Sequence, residues 1–415
     1  MSTDRTIVDV ISRALYDSNG RVALEVEVLD QAGRTARAIA QRGSSVGDYE
    51  PRQLEDAGVQ PGLAAATPAL RCVSERVAPA LRGRDASDLT GVDTVLNELD
   101  PRLSRDSVGG NVTIATSMAV AQLGALQQGI PLHTYLQAVA GRPTASAPTR
   151  PAFNLIDGGL GPKSKVPHIE FLLFPAPGAP LAEVVETGVR ARDRVLEACY
   201  QRGYEGGASQ QGAVSAPLQS CEEGLELLLE VLSDLEDAEG CRLGLDMAAS
   251  DVHDSGLYAF PWAESPLKPE DLLRRYRSWV QEYGVCYIED GFASSETDWF
   301  VQLMEAVGDD IMVAGDDLYA SNTARITEGA LRHWANTAVV KPNQAGTVTD
   351  TLKAARAALD YGATLLISQR SGENEGSFIS SLALAAGAHY LKVGGPTRID
   401  RIAKINELLR VGATA

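Results

Sequence analysis

Five apolar runs in the second half of the chain each end on a charge. GLDMA ends near Asp246, VCYIED at Glu289, IMVAGDD at Asp316, TAVVKPNQ at Lys341 and HYLKVGG at Lys392. From 289 to 316 is 27 residues, from 316 to 341 is 25, and from 341 to 392 is 51, two such units. One unit has the length of a strand plus a helix, and parallel strands repeated this way bring their C-terminal ends to a single mouth. Three carboxylates and two amines then converge on one pocket. Carboxylates suit a hard cation such as Mg²⁺, and a lysine beside a cation is a candidate general base.

At 415 residues the chain is long enough for two domains, one of them a full barrel. Basic residues number 37 against 55 acidic, a net charge of −18. That argues against nucleic acid or an anionic membrane as partner. An anionic ligand must then be met by local cations, which gives weight to the lysines and arginines of the pocket. The five cysteines are scattered and have no CxxC spacing, as expected of a reduced cytoplasm. Cys286 reads as core. No apolar run is long enough to span a membrane, and MSTDRTIVDV has no signal-peptide character. The expected location is cytoplasmic.

Short alternating segments at 6–12, 22–29 and 34–40 predict strands, with Asp17-Ser18-Asn19-Gly20 as the first turn. Glu25 and Glu27 alternate with apolar residues as on a half-exposed sheet. Helical patterns follow at 68–81, 88–99 and 109–127. A capping domain over 1–138 results, and GRPTASAPTRP is the candidate linker to a second domain over 143–415. There, strands are expected near 152–156, 168–174, 242–247, 285–289, 311–315, 337–341, 364–368 and 389–393. Helices such as 181–203, 220–237, 269–283 and 347–360 alternate with them, and an inserted turn is expected around 251–266. Such alternation predicts a parallel barrel of α/β class.

A charge at the end of an apolar strand is costly unless it is paired or bound to metal. Asp246, Glu289 and Asp316 are therefore candidate metal ligands, although each alone could cap a helix or pair with arginine. Asp290 and Asp317 are expected to support them from behind. A buried Lys341 near cations is expected to have a lowered pKa and to serve as a base; a structural salt bridge to one of the same acids is the alternative. Lys392 has the same two readings. Arg370-Ser371 in a glycine turn suits a phosphate or phosphonate, or else Ser371 caps a helix. Gly43-Ser44-Ser45-Val46-Gly47 reads as a loop able to close over a pocket. The histidines lack metal-ligand spacing; of the five, His168, which opens a barrel strand, is the one of interest.

These segments resemble the enolase family over nearly the whole length. YDSNGRVALEVEV is similar to the family's DSRGNPTVEVEV, and GNVTIATSMAVA to GANAILGVSLAVA. NLIDGG, LDMAASD, YIEDGF, AGDDLYASN, KPNQAGTVTDTL, SQRSGENEG and KVGGPTRIDRIAKINELLR each match a family segment in order. The resemblance implies an enolase-type modified (β/α)8 barrel with an N-terminal α+β cap, irregular somewhere in 151–245. It makes Asp246, Glu289 and Asp316 ligands of a tight Mg²⁺, and Ser45 a ligand of a second Mg²⁺ and a contact of the substrate. Lys341 becomes the base that takes the proton next to the substrate carboxylate, and Lys392 contacts that carboxylate. Arg370 and Ser371 hold a phosphoryl group, and Glu170 lies beside the leaving group. The resemblance also implies a homodimer or larger assembly.

Several positions depart from the family. Its DEGG reads Gln210-Gln211-Gly212-Ala213 here, so Gln211 stands where the family keeps the acid that protonates the departing hydroxide. Glutamine donates a hydrogen bond but gives up no proton. The histidine of GGSHA is Gly161, that of SHRSG is Gln369, and the glutamine before Glu170 is Ile169. PSGAST reads QRGSSV, which puts Arg42 where a serine was and adds a cation near the altered end, expected to meet an additional anionic substituent of the substrate. The half for metal binding and proton abstraction is kept, and the half for the leaving group and phosphoryl end is rewritten. That pattern resembles the divergent enolase relatives of phosphonate and phosphinate antibiotic biosynthesis that make carboxyphosphonoenolpyruvate. The expected substrate is a small anionic phospho- or phosphono-carboxylate. Two alternatives stand beside this. One is an ordinary enolase in which Glu205 or Glu222 supplies the acid; the other is a binding protein without catalysis.

Overall fold

The computed structural model describes residues 3–43, 47, 49–56, 62–141, 149–158, 164–167, 169–204 and 207–413. The chain opens on an antiparallel meander, β1 (Ile7–Tyr16), β2 (Val22–Asp30) and β3 (Thr35–Ile39). The turn between β1 and β2 is built by Asp17, whose Oδ1 accepts the N–H groups of Asn19 (2.8 Å) and Arg21 (2.9 Å). Gly20 supplies the left-handed residue there, at φ +70°. The sheet is not half-exposed at Glu25, as its alternation suggests. Glu25 is buried and held by Arg13 at 2.5 Å, so the alternation reflects ion pairing across the sheet and not solvent contact.

Helical stretches cover this sheet, running Thr67–Cys72, Val73–Val77 and Ala78–Leu81, then α1 (Leu89–Leu99) and α2 (Gly110–Gln128). Nearly every residue of α2 is buried, which explains its alanine-rich, almost faceless sequence. One side meets the cap sheet. The other meets the barrel, where Thr113 Oγ1 donates to the Gly346 carbonyl (2.7 Å) and Ser117 Oγ accepts the N–H of Val348 (2.9 Å). A further helix, α3 (Leu132–Ala140), was not foreseen in the sequence. It is bounded by Pro131 and by Gly141 at φ +62°.

The second half closes an eight-stranded barrel: β4 (Arg150–Asp157), β5 (Glu170–Phe174), β6 (Arg242–Asp246), β7 (Tyr287–Glu289), β8 (Met312–Gly315), β9 (Thr337–Val340), β10 (Thr364–Ser368) and β11 (Tyr390–Gly394). They are joined in that order, and β11 pairs back onto β4. All eight expected strands are present. A simple parallel alternation is corrected at one place: β5 runs antiparallel to both β4 and β6. Among the described residues, no helix lies between β4 and β5. Instead α4 (Leu181–Gln201) and α5 (Cys221–Ser233) follow in succession. Thereafter strands alternate with α6 (Pro269–Tyr283), α7 (Thr297–Val307), α8 (Thr323–Leu331), α9 (Val348–Asp360), α10 (Phe378–Ala386) and α11 (Ile399–Gly412). The inserted turn is a 3-10 turn at Ala249–Val252 followed by a small hairpin pairing Asp254 with Leu257.

The barrel interior is a cluster drawn from most of the strands: Ala152, Leu172, Phe174, Cys286, Tyr287, Ala314, Val339 and Leu366, with Tyr390 against it. Cys286 is core, as expected. This plug fills the lower barrel, so only the strand ends above it are left to line an opening.

Candidate active site

A cavity of about 510 Å³ opens at the C-terminal ends of the barrel strands. Asp246, Asp316, Lys341, Gln369, Arg370, Ser371 and Lys392 line it, with Glu170 and Gln211. Ser45, Gly161, His168 and Glu205, singled out in the sequence, lie outside the described residues. Glu222 is not at the mouth. It accepts the indole N–H of Trp279 (2.8 Å) and pairs with Arg275 (3.1 Å).

The two lysines divide the acids between them. Lys392, buried at the end of β11, puts Nζ 2.6 Å from Glu289 Oε2, 3.0 Å from Asp246 Oδ2 and 3.5 Å from Glu170 Oε2. Burial works against its charge, but the three acids outweigh burial and hold its pKa well above the ordinary lysine value. Lys341, just past β9, pairs with Asp316, which also accepts from Gln344 Nε2 (3.0 Å). Burial alone would lower the Lys341 pKa, as its sequence context suggests. The Asp316 carboxylate reverses the sign, and the ammonium sits above its ordinary value. That expectation is corrected: in this structure Lys341 is a paired cation. Burial pushes Asp316 up, but the charge and hydrogen bond of Lys341, together with the charges of Lys392 and Arg370, bring it below its ordinary value.

The three acids expected to share an ion are not the most tightly grouped ones. Among the described residues, the carboxylates with ligand oxygens within 4.8 Å of one another are those of Asp290, Asp316 and Asp317. Asp246 and Glu289 are instead drawn to Lys392. Asp290 accepts the N–H groups of Asp316 (3.1 Å) and Asp317 (2.8 Å), and so sets the turn that presents Asp316. It does this from a left-handed backbone at φ +42°, an unusual conformation for a side chain with Cβ. The site still fits a hard divalent cation. Every donor is a carboxylate oxygen, and Glu289 Oε1 is buried with no hydrogen-bond partner. Burial, then the charge of Asp246, push the Glu289 pKa far up, the condition that a bound cation relieves.

The phosphoryl end is built from both domains. Arg370 Nη1 meets Glu50 of the cap at 2.9 Å, with both side chains buried. Arg401 braces the turn by donating to the carbonyls of Arg370 (2.8 Å) and Ser371 (2.7 Å). Arg42 does not take the place expected of it. Its backbone pairs with Gly372, but its guanidinium clamps Glu55 at 2.5 Å. The cation from the cap that lines the cavity is Arg21, for which the sequence held no signal.

At the rewritten end, two substituted positions meet. Gln369 Nε2 donates to Gln211 Oε1 at 2.9 Å, and Gln211 Nε2 donates to Glu170 Oε1. Arg401 Nη1 donates to Gln369 Oε1 and fixes which way that amide faces. The result is a one-way chain of donors from Arg401 through both glutamines to the Glu170 carboxylate. Asp157, at the end of β4, also lines the cavity. It carries the same signal as the acids above, an acid closing an apolar strand, and the sequence reading passed over it.

Two family models match the chain. Residues 7–136 match the one described as Enolase, N-terminal domain, and residues 146–414 match Enolase, C-terminal TIM barrel domain.

Proposed function

Because the chain belongs to the enolase family, we propose that it is a Mg²⁺-dependent enzyme taking the α-proton from a 2-phosphoglycerate-like acid. The product resembles phosphoenolpyruvate, as made by a carboxyphosphonoenolpyruvate synthase of phosphonate or phosphinate biosynthesis. The observation that carries this reading is the contrast within one cavity. Lysines and acids suited to enolate formation stand at one end, and an amide pair with no proton to give stands at the other.

Asp246, Glu289 and Asp316 would hold the ion. Mg²⁺ there supplies positive charge to the carboxylate oxygens on which an enolate's extra charge develops. Lys341 takes the α-proton once it is neutral, which requires that Asp316 share its charge elsewhere. Lys392 donates to the substrate carboxylate. Arg370 and Ser371, steadied by Glu50 and Arg401, hold the phosphoryl or phosphonyl group; Arg is suited to its paired oxygens. Gln211 and Glu170 orient the group on the β-carbon.

The test is α-proton exchange in D₂O with 2-phosphoglycerate and carboxyphosphonate analogues, alongside enolpyruvate absorbance. Exchange should be present in the native protein and fall about 10³-fold in Lys341→Ala. Fast dehydration of 2-phosphoglycerate would make it an ordinary enolase. Absence of exchange with every candidate would leave a binding protein.

A further inference from the structure

Gln211 leaves the departing group without an obvious proton donor, and the Asp157 carboxyl, beside Gln211 in the same cavity, has no part in the steps above. Asp157 ends β4, paired with Glu170 across the antiparallel β4–β5 ladder and with Ser215 on its other side. It lines the cavity together with Glu170 and Gln211.

Several other acids of the site are engaged. Asp246 and Glu289 pair with Lys392, Asp316 with Lys341, and Asp290 accepts backbone N–H groups. Asp157 instead meets the hydroxyl of Ser209. Ser209 also accepts the N–H of Gln211 at 3.1 Å, so one turn addresses Asp157 through Ser209 and Glu170 through Gln211.

We propose that Asp157 is the acid that protonates the leaving oxygen, while Glu170 and Gln211 position that oxygen. The proposal rests on the function inferred above. In the elimination, the α C–H bond breaks and its proton passes to Lys341 Nζ. The electron pair enters the enolate and then forms the C=C bond as the Cβ–O bond breaks. The oxygen keeps the bonding pair, takes the Asp157 proton and departs as water. Lys341 is left as ammonium and Asp157 as carboxylate; loss of one proton to solvent and gain of another reset both.

The environment suits that role at neutral pH. Burial, then the charge of Glu170 on β5, push the Asp157 carboxyl up to about 7, and Asp246 on β6 adds to them. The Ser209 hydrogen bond and the charge of Arg401 on α11 act the other way. A buried carboxyl raised by a neighbouring charge is a recurring form of general acid.

Asp157→Asn tests the assignment in the full-length protein with Mg²⁺ and whichever acid of the preceding test, 2-phosphoglycerate or a carboxyphosphonate analogue, the native protein dehydrates. Exchange of the α-proton should persist within about threefold while elimination falls about 10²-fold or more. Turnover in the native protein should decline above neutral pH, and what remains in the variant should lose that limb. Independently of turnover, ¹³C NMR of aspartate-labelled protein, referenced to the variant, should show Asp157 titrating near neutrality. Full elimination activity in Asp157→Asn, or titration of Asp157 in the ordinary carboxylate range, overturns the assignment. If the native protein exchanges no proton, the functional reading fails, and the NMR titration still decides whether Asp157 carries a proton at neutral pH.

Discussion

Gln211 is held by both ends of its amide, accepting from Gln369 and donating to Glu170. Restoring an acid there is therefore not a simple reversal. Gln211→Glu sets a second carboxyl against Glu170 and removes the donated N–H, so the two acids must share a proton. Sharing raises the pKa of the pair in the folded state above its unfolded value. Such a pair contributes stability at low pH and loses it as pH rises through the raised value. The variant should melt near the native temperature at pH 5 and be less stable by about 1–3 kcal/mol at pH 8.5. Equal loss at both pH values would show that the two side chains are not coupled. The sequence marked both glutamines as departures, but their contact spans 158 positions and was invisible there.

At the level of elements, the cap and barrel meet where α1 faces the start of α9. Asp93 of α1 accepts the N–H of Thr349 at 2.9 Å and its hydroxyl at 2.5 Å. A carboxylate at a helix N-terminus is favourable, yet burial pushes Asp93 up to about 6, from an ordinary 3.8. With the folded value raised, this group's contribution is complete below about pH 4 and is lost as pH climbs through 6. The difference corresponds to roughly 3 kcal/mol. Asp93→Asn abolishes the titration, so it should gain on the native protein in urea denaturation at pH 8 relative to pH 5. A gap that does not change with pH would refute this. Most helices and all barrel strands were legible from period and spacing. The reversal of β5 was not legible in residues 168–174 themselves, because an apolar run buried on both faces reads alike in either direction.

For the molecule as a whole, the cap completes the mouth of the barrel. Arg42 and Gly372 exchange backbone hydrogen bonds of 3.1 and 2.8 Å, Gln41 donates to Glu373 (2.7 Å), and Glu50 neutralises Arg370. Glu50→Ala removes a buried carboxylate partner of the Arg370 guanidinium and should cost about 3–5 kcal/mol of stability, measured by chemical denaturation. A loss below 1 kcal/mol would mean that Arg370 finds another carboxylate. Mg²⁺ should raise the melting temperature and EDTA should restore it. Free ion at about 100 times its dissociation constant corresponds to about 2.7 kcal/mol. No shift at millimolar Mg²⁺ would count against the metal site.

The amino-acid order alone determined the strands, their spacing and the residue types gathered at one mouth. Those follow from local period and from the cost of leaving a charge at the end of an apolar strand. Tertiary structure alone decided which partner each charge received. Lys341 became a paired cation, Arg42 turned to Glu55, and Asp157 was enclosed beside Glu170. Electrostatic partnership depends on distances of a few ångströms between residues far apart in the chain, and a linear sequence does not contain those distances.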